Sequence, residues 1–233
     1  MSIKDNLTQI LQNIGNSKKK SKFDEDVTLL AVTKFRSVDE IKEVLDFGIN
    51  NLGENKVKEF ESKYEFFKGK DINWHFIGHL QRNKVKNLIG KTALIHSVDS
   101  IRLMEEINKQ SEKKEVITNI LIEFNIAKEE NKYGFNENEV DFIFENAIKF
   151  KNIKVKGVMC MAPFTDDKEI IVNVFRKLRK IYDNCRKTYN KYDNIDLTII
   201  SMGMSNDYEI AIEQGSNIVR VGTSIFKGEK NGI

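Results

Sequence analysis

Thr28-Leu29-Leu30-Ala31-Val32-Thr33-Lys34-Phe35-Arg36-Ser37-Val38-Asp39-Glu40 decides how this chain folds. The first six residues are apolar or β-branched and predict a short buried strand over 28–33, and the run turns polar at Lys34. Ser37 and Glu40 match a capping box, in which each side chain serves a free N–H at the start of a helix. Val38, Ile41, Val44 and Leu45 then repeat at helical spacing, and Gly48 supplies the stop. A strand followed by a capped amphipathic helix is one unit of a parallel sheet, because parallel strands need a crossover between them.

The unit recurs along the chain. An extra helix over 3–14 precedes it. Downstream, strands over 51–53, 74–77, 93–96, 117–124, 155–159, 197–200 and 218–221 alternate with helices. Those helices are expected over 56–67, 83–89, from a cap at Asp99 or Ser100, over 137–150 and 167–189, and in a last segment ending at Gly215. Eight units of about 29 residues predict a single (β/α)8 TIM-type barrel, an α/β fold, with one domain spanning 1–233. The competing arrangement is an open doubly wound sheet, which places a glycine-rich fingerprint after its first strand. Here that strand exits through Lys34-Phe35-Arg36 with no glycine.

The totals exclude several classes. The 233 residues are 40% hydrophobic, enough for a sizeable core, and carry a net charge of only +3. No long single-sign stripe suggests nucleic acid. The one basic cluster, Lys18-Lys19-Lys20-Ser21-Lys22, reads as a solvated loop, with an anion or membrane contact as the alternative. Cys160 and Cys185 lack metal-ligand spacing and are expected to stay reduced, which fits a cytoplasmic protein. There is no apolar signal core at the start, and no run of about 18 apolar residues that would predict a membrane span. G-x-S-x-G and Walker sequences are also missing.

In a barrel the strand C-termini converge on one mouth, and phosphate sites usually follow strands 7 and 8. Ser201-Met202-Gly203-Met204-Ser205 and Arg220-Val221-Gly222-Thr223-Ser224 stand there. Gly203 lets backbone approach an anion, Ser205 offers a hydroxyl, and Gly222 and Thr223 follow the last strand. Ser205, Gly222 and Thr223 are the candidate phosphate contacts and Met202 a further candidate cofactor-binding residue, although ordinary strand–helix turns would look similar. Lys34 ends the first strand facing the same mouth. An amine opposite a phosphate site points to pyridoxal 5′-phosphate (PLP), held on Lys34 as a Schiff base. That chemistry needs the neutral amine, so partial burial and neighbouring cations are expected at Lys34. Arg220 inside its strand reads either as half of a buried ion pair or as the donor to the pyridine nitrogen. In the second case it keeps the ring unprotonated and a weak electron sink. Asn55 is either a helix N-cap or a contact to the ring edge. His75 and His96 read as hydrogen-bonded core residues, and no carboxylate or Cys stands near His75 or His79 at metal-ligand spacing.

Taken together, these segments resemble the pyridoxal phosphate homeostasis protein family, whose barrel is similar to the N-terminal domain of alanine racemase. The resemblance runs from about Leu29 to Phe226. It is carried by Ala31-Val32-Thr33-Lys34, Gly53-Glu54-Asn55, His75-Phe76-Ile77-Gly78-His79-Leu80-Gln81-Arg82-Asn83-Lys84, Lys132-Tyr133-Gly134 and Gly157-Val158-Met159-Cys160-Met161, together with the two C-terminal motifs. It implies that Lys34 is the Schiff-base lysine, that Arg220 faces the pyridine nitrogen, that Ser205, Gly222 and Thr223 hold the phosphate, and that Asn55 lies beside the cofactor. It further implies a protein that binds PLP, delivers it to PLP-dependent apoenzymes and keeps the free PLP pool and amino-acid balance, without established turnover.

The chain departs from the family pattern at Thr33 (serine is common), Lys56 (tyrosine is frequent) and Lys227 (glycine is frequent). Lys56 is expected to change the charge at the mouth, and with it the ease of PLP release. Racemases add a β-rich domain and a tyrosine base from a partner subunit. The chain stops about ten residues after its last strand, so the expectation is a monomeric carrier without that domain. The alternative is a PLP-dependent amino-acid racemase or other PLP enzyme, with Cys160 or Tyr133 as the second proton-transfer group.

Overall fold

The computed structural model describes residues 1–127, 129 and 133–228, so Lys132 of the Lys132-Tyr133-Gly134 motif lies outside the described residues. Eight parallel strands form a closed barrel in sequence order: β1 Thr28–Val32, β2 Asn51–Glu54, β3 Asn73–Phe76, β4 Leu94–Val98, β5 Thr118–Phe124, β6 Ile153–Cys160, β7 Ile195–Met204 and β8 Ile218–Val221. Closure comes from β8 pairing with β1, Leu30 opposite Arg220. The TIM-type barrel is therefore present and the open sheet is not. The helices are α1 Ile3–Lys20, α2 Val38–Asp46, α3 Val57–Phe66, α4 Ile101–Lys113, α5 Val140–Ala147, α6 Lys168–Tyr189 and α7 Tyr208–Glu213. The capping box of Ser37 and Glu40 is formed, and Ser100 rather than Asp99 caps α4.

Alternation along each strand sorts side chains onto two faces. Leu30, Leu94, Leu121, Met159 and Ile218 pack inside the barrel. Their neighbours Leu29, Ile95, Ile120, Val158 and Val219 face the helices and belong to the larger shell between sheet and helices.

Four elements differ from the sequence reading. The first is α1, which continues past Gly15 to Lys20, with Ser17 buried on its packed side. Lys18, Lys19 and Lys20 thus form a last helical turn, where cations complement the helix dipole, and are not a loop. Second, residues 82–87 form a 3₁₀ helix in place of an α-helix. Third, the segment expected over 137–150 splits into a 3₁₀ turn, Glu137–Glu139, and the shorter α5. Fourth, β7 runs ten residues, through Ser201-Met202-Gly203-Met204, with an irregular register against β8.

The N-terminal helix positions the far end of the chain. Ile3, Leu7, Ile10 and Ile14 are buried on one face of α1, which packs on α7. Asn6 is buried as well, and its Nδ2 donates to the carbonyls of Ile225 (2.8 Å) and Lys227 (2.9 Å), tethering the turn after β8.

Candidate functional site

A cavity of about 700 Å³ opens at the C-terminal ends of the strands. Lys34, Asn55, Ser205, Arg220, Gly222 and Thr223 all line it. Met202 does not. It is fully buried in the shell between barrel and helices, because the pleat that turns Ser201 inward turns its neighbour outward.

Lys34 is exposed, which corrects the partial burial expected for it. The strand ends at Val32, so Lys34 stands two residues beyond the sheet in a turn. Phe35 comes next with φ of +61°, a left-handed conformation unfavourable for a bulky side chain. Its N–H donates to Glu59 Oε2 at 3.0 Å, and the residue is 68% exposed. This strained, tethered residue reverses the chain beside the amine and leaves Lys34 at the mouth. Beneath it, Thr33 Oγ1 and Lys63 Nζ both donate to Glu54 Oε1, at 2.6 and 2.7 Å, so the Thr33 departure serves a buried structural cluster. Lys56 Nζ lies 4.8 Å from the Phe35 ring, which places its charge on the rim.

The two C-terminal motifs form an anion cup. The backbone N–H groups of Gly222 and Ser224 converge on Ser205 Oγ, at 3.2 and 3.4 Å. Gly203, with φ of +93°, makes the bend that brings Ser205 there. A Cβ on it would lie 2.5 Å from the Cβ of Ala211. After β8 the chain makes a single turn from Gly222 to Phe226, closed by Ile225 N–H donating to Gly222 O at 2.9 Å. The donors therefore come from local backbone rather than a helix end.

Asn55 does not cap a helix, because Lys56 holds the N-cap position of α3 without a side-chain bond. Asn55 Oδ1 is buried with no hydrogen-bond partner among the described residues. Such an acceptor is costly unless something donates to it. Its backbone is pressed against Gly78, where any Cβ would overlap the Asn55 carbonyl oxygen.

Arg220 is buried, and its partners are carbonyls and a hydroxyl, so the ion-pair reading falls. Nη1 donates to Ser201 O (2.8 Å) and Ser201 Oγ (2.6 Å), and Nη2 donates to Cys160 O (3.0 Å). The Ser201 hydroxyl must then donate to His96 Nδ1, 2.9 Å away. That leaves the His96 proton on Nε2, donated to His75 Nδ1 at 2.9 Å, and His75 Nε2–H facing Asn51 Oδ1 at 3.2 Å. Arginine is always a donor, so this chain across the barrel has one direction and fixes both tautomers. Burial lowers His75 to about 4 and His96 well below its ordinary value, so both stay neutral. The core reading of both histidines is therefore correct, and together they lock the guanidinium at the cavity wall.

Sequence reasoning missed three features of the wall. Glu123 lies inside β5, is 4% exposed and lines the cavity. Burial first, and Asp99 second, push its carboxyl up to about 7, with Arg220 opposing. A carboxylate between Ile122 and Phe124 in an apolar strand was the available signal. The second is a cluster on one side of the mouth: His79 Nδ1 lies 3.1 Å from Asp99 Oδ2, and the His79 ring stacks on Tyr133 at 3.6 Å. The third is Asp207, buried at the foot of the Ser205 bend, where its Oδ1 accepts from Met204 N–H at 2.5 Å. Cys160 faces away from the cavity, fully buried, and burial pushes its thiol up to about 12.

This arrangement has clear relatives. The alanine racemase N-terminal domain family matches residues 6–230. A pyridoxal phosphate homeostasis protein from Aquifex aeolicus (strain VF5) is 39% identical over 231 residues, covering 99% of both chains. The structure of PipY from Synechococcus elongatus PCC7942 without PLP superposes with a TM-score of 0.86 at 26% identity, covering 97% of this chain and 100% of that one. The PipY structure with PLP bound gives 0.83 at 24% identity over the same shares, a likeness of fold. The chain belongs to the pyridoxal phosphate homeostasis protein family, within the alanine racemase N-terminal domain family.

Proposed function

We propose that this chain is a PLP-binding protein that holds the cofactor covalently on Lys34 and takes part in PLP and amino-acid homeostasis without catalytic turnover. The observation that carries the reading is the convergence on one cavity of Lys34, Ser205, Gly222 and Thr223, with the Gly222 N–H held on Ser205 Oγ. The donor chemistry fits the group. The Gly222 and Ser224 N–H groups, which serve Ser205 Oγ here, are donors of the kind a phosphate takes, and the orphaned Asn55 Oδ1 suits a hydroxyl or ring edge. A buried, permanently charged Arg220 suits an unprotonated ring nitrogen. When bound, PLP supplies an electrophilic carbonyl carbon and an electron sink. The chain's own part is to position Lys34 through the Phe35–Glu59 tether and to fix Arg220 through Ser201 and the two histidines. The reading also takes the chain as one monomeric, cytoplasmic domain whose recipients are PLP-dependent apoenzymes. Among the described residues no helix is long and apolar enough to cross a membrane.

The test is PLP titration of the purified protein, followed by absorbance, borohydride reduction and peptide mapping. The expected label sits on Lys34 and disappears in Lys34→Ala, while the cup retains weak PLP binding. A label on another lysine, or no uptake of PLP, overturns the reading. The enzymatic alternative keeps one proton-transfer candidate, Tyr133 on the cavity wall, since Cys160 does not reach the cavity. Exchange of an amino acid's α-hydrogen in heavy water by the loaded protein would decide for it.

A further inference from the structure

Among the described residues, Glu123 is the one buried carboxylate in the cavity that no feature of cofactor holding uses. It is nine-tenths buried and lines the cavity, and its side chain makes no hydrogen bond or ion pair among the described residues. Keeping such a group in an apolar strand is unfavourable unless a donor visits it. Asp99 lies within electrostatic reach from the end of β4 and adds a second negative charge. Cys160 on β6 carries none, and Arg220 approaches across the barrel. Lys34, which the proposed cofactor would occupy, lines the same cavity. The stacked His79–Tyr133 pair adds an aromatic surface, which also favours a cation.

We propose that Glu123, with Asp99 and the His79–Tyr133 pair, forms a subsite for a primary ammonium group through which the cofactor is handed from Lys34 to an incoming amine. The inference rests on the proposed loading of Lys34. The incoming ammonium gives one proton to the Glu123 carboxylate, which frees its lone pair. That nitrogen adds to the carbon of the protonated C=N bond to Lys34 Nζ, and as its own C–N double bond forms, the remaining single bond to Nζ breaks, with the imine proton staying on Nζ. The second proton of the incoming nitrogen passes to Nζ, so Lys34 leaves as a neutral amine. Nothing is oxidised or reduced.

The test compares PLP-loaded wild type and Glu123→Gln, following loss of the Lys34-bound absorbance by stopped flow. The amines are L-alanine and Nα-acetyllysine amide, and the reference is hydroxylamine, which is un-ionised at neutral pH and needs no proton acceptor. The expected result is a fall of about tenfold or more in the amine-to-hydroxylamine rate ratio at pH 8. In wild type the amine rate levels off above pH 7, while in Glu123→Gln it keeps climbing about tenfold per pH unit with the free amine. Transfer to acetyllysine amide alone identifies a protein lysine as the natural acceptor, and transfer to alanine a free amino acid. An unchanged ratio overturns the inference, as does a variant that alters PLP uptake but not the ratio. If the variant does not fold, the wild-type pH profile decides alone, and a rate that climbs steadily through pH 7–9 is the overturning result. Failure of wild type to label Lys34 condemns the parent reading instead.

Discussion

Gly78 shows how closely the site is specified by single residues. Its carbonyl accepts from Ser97 Oγ, and its missing side chain leaves room for the Asn55 backbone. Adding one methyl group forces the β2–α3 connection outward, and Asn55 Oδ1 moves with it. Overpacking of this kind costs about 1–3 kcal/mol. Gly78→Ala should therefore lower the urea midpoint and weaken PLP uptake, with Lys34 still present. A variant of wild-type affinity would show that Asn55 does not contact the cofactor. Such contacts are hard to see in a sequence because Gly78 and Asn55 come together only through β3 pairing with β2. Lys34, by contrast, could be picked out among many lysines because it directly succeeds an apolar run.

At the scale of elements, the barrel was legible because each βα unit announces itself by a change of period, from the strand's two to the helix's 3.6. The length of β7 was not, since Ser201, Gly203 and Ser205 look like a loop and only the hydrogen bonds of Ser201 with Arg220 and His96 make that segment part of the wall. The misplaced Met202 has the same origin, because a residue's face is defined only once its strand is. The work of α1 was equally hidden: Asn6 and Ile225 are 219 residues apart in sequence. That bond ties α1 to the turn holding Gly222 and Ser224. Asn6→Ala leaves the carbonyls of Ile225 and Lys227 without their donor, a loss of about 1–3 kcal/mol. PLP should dissociate faster from this variant, measurable by dilution and absorbance, although no altered atom touches the cavity. Unchanged dissociation would mean that the cup holds its shape without α1.

Over the whole molecule, the buried ionisable groups of the barrel pull stability in opposite directions with pH. Glu123 has a folded-state value raised from 4.5 to about 7. Its contribution is complete below about 4.5 and lost as pH rises through 7. His75 is lowered from 6.5 to about 4, and His96 is held well below its ordinary value. Their contributions are complete above 6.5 and lost as pH falls toward 4. A displacement of this size corresponds to about 3 kcal/mol for Glu123, and to a similar amount for His75. On acidification from pH 7 the wild-type protein therefore loses stability at the histidines while recovering it at Glu123. Glu123→Gln removes the recovery. The variant should be more stable than wild type by about 3 kcal/mol at pH 8, with the gap closing as pH falls to 4.5 and the variant's acid loss correspondingly steeper. Urea denaturation at pH 8, 6.5 and 5 measures this. Parallel curves would place the Glu123 carboxylate among satisfied partners, and with that the argument that it waits for an incoming ammonium would fail. A converging pair would show that the barrel tolerates a destabilising carboxylate at its mouth, which selection for stability alone would remove.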